Sequence, residues 1–290
     1  MIEVLRPGPL TTVQDAGRPG FAHLGVPHSG AADLPALRAA NALAGNPPDA
    51  AALETTLSGP ALRFSAPAVI ALAGAPVRVR VDGEPVAFGE PREVGAGSTL
   101  EIGTAKAGLR SYLAVRGGID VPAVLGSRSA DTLTGLGPAP LRAGDVLATG
   151  DLRGSGDPLS AALAEPPGDV ATLRVTMGPR DSMFSRDAAD QLTDIEYEVA
   201  PESSRVGVRL LGTGFQRREA AELLSEGLVR GALQVPGSGM PIVMLADHPT
   251  TGGYPVIAVV ASEHLPLLGQ LRPGRRVRFA LAQPNEGESR

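Results

Sequence analysis

The sequence predicts a mainly β protein with a few short helices, built as two antiparallel β domains. Three observations support this fold class. Short apolar runs alternate with polar residues, turn residues recur roughly every ten positions, and a stretch rich in glycine and proline divides the chain. With 290 residues, 43% of them hydrophobic, the chain can bury a large core. This pattern is typical of an antiparallel sandwich or barrel.

The first domain is predicted over residues 1–152. Its first 30 residues are rich in turn signals and polar groups, which is typical of either a functional or a surface loop. Asp33 suits a helix N-cap and Gly45 a C-cap, so one helix is expected over roughly 33–44. Short strands follow from about residue 53 to Gly150. In one of them, the alternation of Val77–Val81 predicts that Arg78 and Arg80 face solvent.

The second domain is predicted over residues 170–283, after a linker at 153–169 and before a disordered tail at 284–290. A short helix is expected over 185–192, and Ser262 is expected to cap another that ends near Leu271. A weak repeat, Leu-Arg-x-Gly at 141–144 and 271–274, favours duplicated halves, although it is also common turn chemistry. The strands are predicted at 172–177, 197–199, 208–211, 232–235, 241–245, 256–261 and 277–279.

Composition weighs against several functional classes. The net charge is −5, aromatic residues make up 3%, and no basic block occurs, which disfavours nucleic-acid binding. The absence of cysteine excludes thiol catalysis, thiolate metal ligands and disulfides. No apolar run reaches about 18 residues and no leader is visible, so we expect a cytoplasmic protein without membrane attachment. Lys106 is the single lysine and lies outside any phosphate-loop motif, so a bound nucleotide would need arginines, backbone N–H groups or a partner chain.

The most informative stretch runs from Ala246 to Pro255, between two apolar runs that are predicted strands. Asp247 can accept several hydrogen bonds, and Thr250 and Thr251 can both donate and accept. Glycines at 252 and 253 let a ligand approach backbone N–H groups closely. This composition suits a cradle for an anion or an amide. The alternative is a structural turn in which the polar side chains bond their own backbone.

Other polar clusters also carry groups suited to binding. Gln14, Asp15 and Ser29 lie in the first loop region. Arg116 ends a predicted strand before two glycines, and a guanidinium beside open backbone suits a carboxylate or phosphate, although such arginines are more often surface or ion-paired. The sequence contains no helical histidine pair, no Gly-x-Ser-x-Gly elbow and no dinucleotide motif. Acid–base and electrostatic chemistry remains.

Together these segments resemble the allophanate hydrolase subunit 2 family. This biotin-dependent carboxyltransferase-like family includes the C-type subunit of 5-oxoprolinase and kinase-inhibitor antagonist proteins. The resemblance covers nearly the whole chain in order. The matching stretches are 7–18, 25–33, 40–41, 45–46, 110–120, 125–129, 231–236 and 246–255.

The resemblance implies a pair of cyclophilin-like β-barrels. It also implies a partner chain, either allophanate hydrolase subunit 1 or the B-type subunit of 5-oxoprolinase. The implied reaction is an ATP-dependent opening of a small cyclic amide, 5-oxoproline to glutamate, with ATP bound here or on the partner. Two alternatives follow from other members. One is carboxyl transfer from carboxybiotin to a urea-like substrate, the only reading that involves biotin. The other is a non-catalytic protein that sequesters a partner such as a kinase inhibitor.

The same resemblance suggests roles for individual residues. Asp247 would act as a base or orient water, while Thr250, Thr251 and Gly252 would stabilise the developing oxyanion. Arg116 or Arg205 would hold a carboxylate. Segments from both domains are expected to meet in one cleft. The other predicted substrate contacts are Gln14, Asp15, Ser29, Arg128 and Gln234.

Three positions depart from the family pattern. His248 stands where the family has an arginine, and Ser204 where it has an aspartate, so the charge balance of the site differs. Val256 replaces a lysine, which weighs against carboxyl transfer. The chain also lacks a Met-Lys biotinylation site, and an amidase-type Ser-Ser-Lys signature for allophanate hydrolysis is absent from the sequence.

Overall fold

The structure is a computed structural model that describes residues 1–151, 156–157, 159–161, 163–218 and 223–282. The chain divides into two compact units, Met1–Pro167 and Gly168–Arg290. The predicted disordered tail at 284–290 and part of the predicted linker at 153–169 lie outside the described residues. None of the described helices has the length and apolar character that a membrane crossing requires.

The first unit is built mainly from short strands, with one α-helix, α1 (Leu34–Ala44), in its described residues. The strands are β1 (Ile2–Arg6), β2 (Thr11–Gln14), β3 (Ala52–Thr56), β4 (Ala61–Phe64), β5 (Ala68–Gly74), β6 (Val77–Val81), β7 (Glu84–Val86), β8 (Arg92–Val94), β9 (Thr99–Ala105), β10 (Arg110–Val115), β11 (Ile119–Asp120) and β12 (Val146–Thr149).

These strands form two antiparallel sheets in the described residues. One has the order β11-β12-β1-β4-β9-β6-β7 and the other β2-β3-β10-β5-β8. Side chains from both sheets, such as Val4 and Phe64 from the first and Leu72 and Leu113 from the second, share one buried core. Alternation decides which side chains face inward. In β6 the valines are buried and both arginines exposed, as the sequence predicted.

Helix α1 covers the other face of the second sheet. Its buried alanines and leucines pack on Ala71, Ala73 and Ala114, whose small side chains allow close approach. The Asp33 carboxylate accepts a hydrogen bond from Ala36 N at 3.0 Å, and Gly45 ends the helix with φ 75°. The structure thus confirms the predicted helix and both of its caps.

The edge strand β2 is fully buried because a long loop covers it. Ala130 N donates to Val13 O at 2.9 Å, and Leu141 N donates to Thr11 O at 2.9 Å. The loop therefore satisfies backbone groups that an edge strand would otherwise leave unpaired. It also brings the 127–131 segment beside Gln14 and Asp15.

The second unit contains the remaining described strands and two short helices, α2 (Ala188–Asp194) and α3 (Leu265–Gly269). The strands are β13 (Val170–Met177), β14 (Glu196–Val199), β15 (Gly207–Leu211), β16 (Glu226–Gly227), β17 (Ala232–Gln234), β18 (Ile242–Met244), β19 (Thr251–Gly252), β20 (Val256–Val260) and β21 (Arg276–Leu281).

Seven of these strands close into a barrel within the described residues, in the order β13-β20-β17-β18-β15-β14-β21. The closing pair, β13 with β21, is parallel, while the other barrel pairs are antiparallel. Strands β16 and β19 form a separate two-stranded ladder. The mainly β class is confirmed, and the purely antiparallel expectation is wrong at one pair because the first and last barrel strands run in the same direction.

The helices of this unit start later than predicted. Helix α2 begins at Ala188 rather than Ser185, because a turn closed by Ala188 N and Ser185 O precedes it. Ser262 does not cap a helix: it opens a 3-10 turn, Ser262–His264, that leads into α3. Cap residues alone could not distinguish this turn from an α-helical start.

Candidate functional site

A fully buried ion pair lies at the start of the 246–255 stretch. Arg205 Nε donates to Asp247 Oδ2 and Arg205 Nη2 donates to Asp247 Oδ1, each at 2.9 Å. The two side chains are 1% and 0% exposed. This two-pronged geometry is the strongest arrangement for a guanidinium and a carboxylate. Because both Asp247 oxygens accept from Arg205, the pair favours a positioning role for Asp247, and its predicted role as a base stays a prediction.

The turn before β15 directs Arg205 inward. Ser203 Oγ accepts from Arg209 N at 3.0 Å, and Ser204 Oγ accepts from Val206 N at 3.2 Å. The backbone of this turn then pairs with the stretch that carries the carboxylate, since Asp247 N donates to Arg205 O at 2.9 Å. Ser204 itself is exposed, so the carboxylate missing at this position would have faced solvent.

The threonine-glycine loop is held by the two-stranded ladder. Gly252 pairs with Glu226 and Thr251 with Gly227, and Leu228 N donates to Thr250 O at 2.9 Å. Thr250 is half-buried and Thr251 is exposed. Their hydroxyl groups are thus placed on a loop whose backbone is fixed by hydrogen bonds.

Gly252 and Gln234 are packed against each other. A Cβ at position 252 would lie 2.6 Å from Gln234 Nε2 and 2.8 Å from Leu228 Cδ1. Gln234 is buried and its Nε2 donates to Tyr254 O at 3.0 Å. This hydrogen bond helps to fix the backbone of the threonine-glycine loop. The predicted contact of Gln234 with substrate stays a prediction.

A second ion pair that the sequence did not indicate fastens the ladder to the barrel. Arg180 follows β13, and its Nε donates to Glu226 Oε1 at 2.9 Å and to Oε2 at 3.3 Å. Glu226 lies opposite Gly252 in the ladder. The sequence could not predict this ion pair, because the two partners are 46 positions apart and neither lies in a recognisable motif.

In the first unit, the Asp15 carboxylate is surrounded by donors. Oδ1 accepts from Gly17 N at 2.8 Å, Ser127 Oγ at 2.6 Å and Ser129 Oγ at 2.5 Å, while Oδ2 accepts from Arg128 N at 2.6 Å. These bonds fix the first loop region to the loop that covers β2. The two serines were missed as partners, since they lie 112 and 114 positions away. The one local signal is their Ser-x-Ser spacing, which allows both hydroxyl groups to reach the same carboxylate.

A buried guanidinium beside this carboxylate organises Ser29. Arg18 is 1% exposed, and its Nη1 donates to Ser29 Oγ at 3.1 Å while Nη2 donates to Ser129 O. Ser29 Oγ in turn donates to Asp131 Oδ2 at 2.7 Å. Ser29 adopts a left-handed backbone, φ 55°, which is uncommon outside glycine. The network brings Asp15 and Ser29 together in one buried cluster.

Gln14 and Arg128 border this cluster. Gln14 is fully buried, and its Nε2 donates to Thr12 Oγ1 at 3.0 Å and Ala130 O at 3.1 Å. Arg128 turns its guanidinium outward to Asp120 at 2.9 Å, so it contributes its backbone N–H to Asp15 and not its side chain.

Another buried cluster of the first unit was not predicted. Glu54 Oε2 accepts from Tyr112 OH at 2.7 Å and from Ala32 N at 2.9 Å. Burial, followed by the nearby Glu54 charge, raises the pKa of the Tyr112 hydroxyl well above its ordinary value. These bonds hold the chain between Ser29 and α1 against the sheet.

Arg116 lies elsewhere in the first unit. It lines a groove at the end of β10, and none of Gln14, Asp15, Ser29 or Arg128 lines that groove. The structure therefore separates Arg116 from the other predicted residues of its unit. That segments of both units share one cleft stays a prediction. Among the described residues, no group of three or more His, Asp or Glu side chains could hold a metal ion.

Comparison with known proteins shows which family this chain belongs to. Residues 24–281 match the model of the carboxyltransferase domain, subdomain A and B. The chain is 39% identical over 282 residues to the C-type subunit of 5-oxoprolinase from Escherichia coli strain K12, and the match covers 96% of this chain and 90% of that relative. It is 34% identical to a urea amidolyase of Lachancea kluyveri, covering 96% of this chain but 17% of the relative.

Solved structures agree with these matches. The urea amidolyase of K. lactis superposes with a TM-score of 0.90 and 33% identity, over 97% of this chain and 19% of that one. The urea carboxylase of Kluyveromyces lactis superposes with a TM-score of 0.89 and 33% identity, over 97% and 27%. The chain thus spans less than a third of either urea-acting protein. By sequence and by structure, this chain belongs to the carboxyltransferase domain family, subdomain A and B.

Proposed function

We propose that this chain is one component of a heteromeric, ATP-dependent enzyme that opens 5-oxoproline to glutamate. The observation that carries the proposal is the 39% identity to the C-type subunit of a 5-oxoprolinase over 96% of this chain and 90% of that protein. Such a match in length distinguishes this relative from the urea-acting proteins, of which the chain spans only a small part.

In the proposed reaction, water adds to the lactam carbonyl, the ring C–N bond breaks, and the nitrogen gains a proton, with ATP hydrolysed to ADP and phosphate. Negative charge develops on the carbonyl oxygen. The Thr250 and Thr251 hydroxyls and backbone N–H groups of the loop are the donors proposed to stabilise it. The Arg205–Asp247 pair positions this loop from beneath.

We also propose that the Asp15 cluster of the first unit takes part in substrate binding. Gln14, Ser29 and the loop that carries Arg128 are proposed to lie beside the substrate, with Asp15 holding the two segments together. ATP is proposed to bind mainly on a partner like the B-type subunit of 5-oxoprolinase, because the chain has a single lysine and no phosphate loop.

Reconstitution tests this function. ADP release would be followed with the partner proteins, in the presence and absence of this chain and of 5-oxoproline. We expect ATP hydrolysis that depends on both. A complete complex that hydrolyses ATP at the same rate without 5-oxoproline would refute the proposal.

Carboxyl transfer is a second candidate because the matched family model is named for it and the urea carboxylase superposes closely. One feature weighs against it: the family lysine is replaced by the buried Val256. The biotin carrier that this reaction requires would lie outside this sequence, which contains no Met-Lys biotinylation site. Adding a carboxylated biotin carrier and urea to the chain discriminates the two, since only this second function predicts loss of carboxyl from the carrier.

A further inference from the structure

A groove in the first unit is not used by the proposed site. It has a volume of about 740 Å³ and lies where the start of β5 meets the ends of β8 and β10. This volume is in the range of small-molecule pockets, roughly 300–1,000 Å³. The lining includes two charged side chains, Arg116 and Glu93, and apolar side chains such as Val69.

The sheet register sets the two charges side by side. Arg116 N donates to Val69 O at 2.8 Å, which continues the pairing of Val115 with Ile70. Val69 lies directly opposite Glu93 on the next strand. Opposed residues of antiparallel strands project from the same face. Arg116 and Glu93 therefore flank Val69 on one face, two strand spacings or roughly 10 Å apart.

Neither charge is neutralised within the described residues. Arg116 Nη2 donates to the backbone oxygen of Gly156, and its buried Nε has no hydrogen-bond partner there. Glu93 is exposed and makes no ion pair with another described residue. A half-buried guanidinium without a carboxylate partner favours an anionic ligand group.

Two glycines bring the backbone close together at one edge of the groove, which Gly150 lines. A Cβ at Gly117 would lie 2.6 Å from Gly150 O, and a Cβ at Gly150 would lie 2.4 Å from Gly117 O. The two segments thus cross in contact, which no larger residue allows, and no side chain from these positions fills the space beside Arg116.

We propose that this groove binds a small amino acid whose carboxylate and ammonium groups are separated by a short aliphatic chain. The carboxylate accepts from Arg116, the aliphatic chain packs on Val69, and the ammonium donates to Glu93. The site goes beyond the proposed lactam-opening function and does not depend on it.

The test is calorimetric titration of the full chain with three probes: 4-aminobutyrate, butyrate and butylamine. The wild-type protein should bind 4-aminobutyrate saturably and more tightly than either single-charge probe. Arg116→Gln should weaken binding of 4-aminobutyrate about tenfold or more. Glu93→Gln should lower the affinity for 4-aminobutyrate, by about threefold for an exposed carboxylate, and leave butyrate unchanged.

Arg92→Gln is the matched control, because Arg92 neighbours Glu93 on β8 but projects from the opposite face. It should bind all probes as the wild type does. The proposal is overturned if the wild-type chain shows no saturable binding, if butyrate binds as tightly as 4-aminobutyrate, or if Arg116→Gln binds 4-aminobutyrate as the wild type does.

Discussion

The contact between Arg205 and Asp247 shows how a loop of small polar residues is held in place. Removing one partner of a buried pair leaves the other charge without compensation in a low-dielectric interior. Arg205→Met should therefore lower the free energy of unfolding by about 3–5 kcal/mol, measured by urea denaturation of the purified chain.

Arg174→Met serves as the control for this variant. Arg174 pairs with Glu263 on the barrel surface, where the side chains are 52% and 54% exposed. Loss of such a surface pair should cost less than about 1 kcal/mol. Equal stability of the two variants would contradict a structural role for the buried pair.

Tyr197 gives the second unit a pH dependence in the alkaline range. Burial raises the pKa of its hydroxyl from 10.0 to about 12. Below pH 10 both folded and unfolded chains keep the proton. Between pH 10 and about 12 the unfolded chain releases it while the folded chain keeps it, so stability falls as pH rises, by about 1–2 kcal/mol after allowance for solvent screening.

Tyr197→Phe removes this titration. Its free energy of unfolding should therefore decrease less than that of the wild type between pH 10 and about 12. Tyr112 titrates in both proteins and cancels in the comparison. Urea denaturation at several pH values across this range measures the difference, and identical pH profiles would show that Tyr197 is not the group responsible.

At the scale of single residues, the sequence showed which side chains carry polar groups but not which of them pair with each other. Asp247 stood out by its neighbours, whereas its partner Arg205 is 42 positions away. Asp15 likewise bonds serines more than 110 positions distant, and the arginine between them, Arg128, turned out to face Asp120. Such pairings depend on the fold, because local sequence carries no information about contacts closed by sheet topology.

The ladder of β16 and β19 is the element that places the threonine hydroxyls. Gly252→Ala would drive a Cβ into Gln234 and Leu228. We expect a loss of about 1–3 kcal/mol in unfolding free energy, typical of overpacking, and faster hydrogen exchange of the Leu228 amide, which donates to Thr250 O. Both can be measured on the isolated chain.

Gly227→Ala is the matched control in the same ladder. A Cβ at position 227 meets nothing within 4 Å, and its backbone is not left-handed. Its stability should stay within about 0.5 kcal/mol of the wild type. If both alanine variants behave alike, close packing is not what requires glycine at 252.

Elements with strong local signals were predicted and those without were not. The alternation in β6 and the capped ends of α1 follow from side-chain burial and from hydrogen bonding of the helix ends. Strands β16 and β19 have two residues each, Glu-Gly and Thr-Gly, so they show no periodicity. Only pairing with each other and the ion pair from Arg180 defines them.

Across the whole molecule, local patterns predicted a mainly β fold but did not decide between a sandwich and a barrel. Sandwich and barrel strands alternate in the same way, so spacing alone could not choose between them. The first unit pairs two sheets around one core, while the second closes when its first and last barrel strands meet in parallel. Closure depends on a contact between strands about a hundred residues apart, as in Val170 with Arg276.

We propose that the threonine-glycine loop of the second unit acts on 5-oxoproline within an ATP-dependent complex. The most direct measurement is the 5-oxoproline-dependent turnover rate of the complex assembled with Thr251→Val, compared with Thr172→Val on the exposed face of β13. Loss of one oxyanion donor should lower kcat about 100-fold in the first variant and leave the second at the wild-type rate. Equal rates for the two variants would contradict the claim.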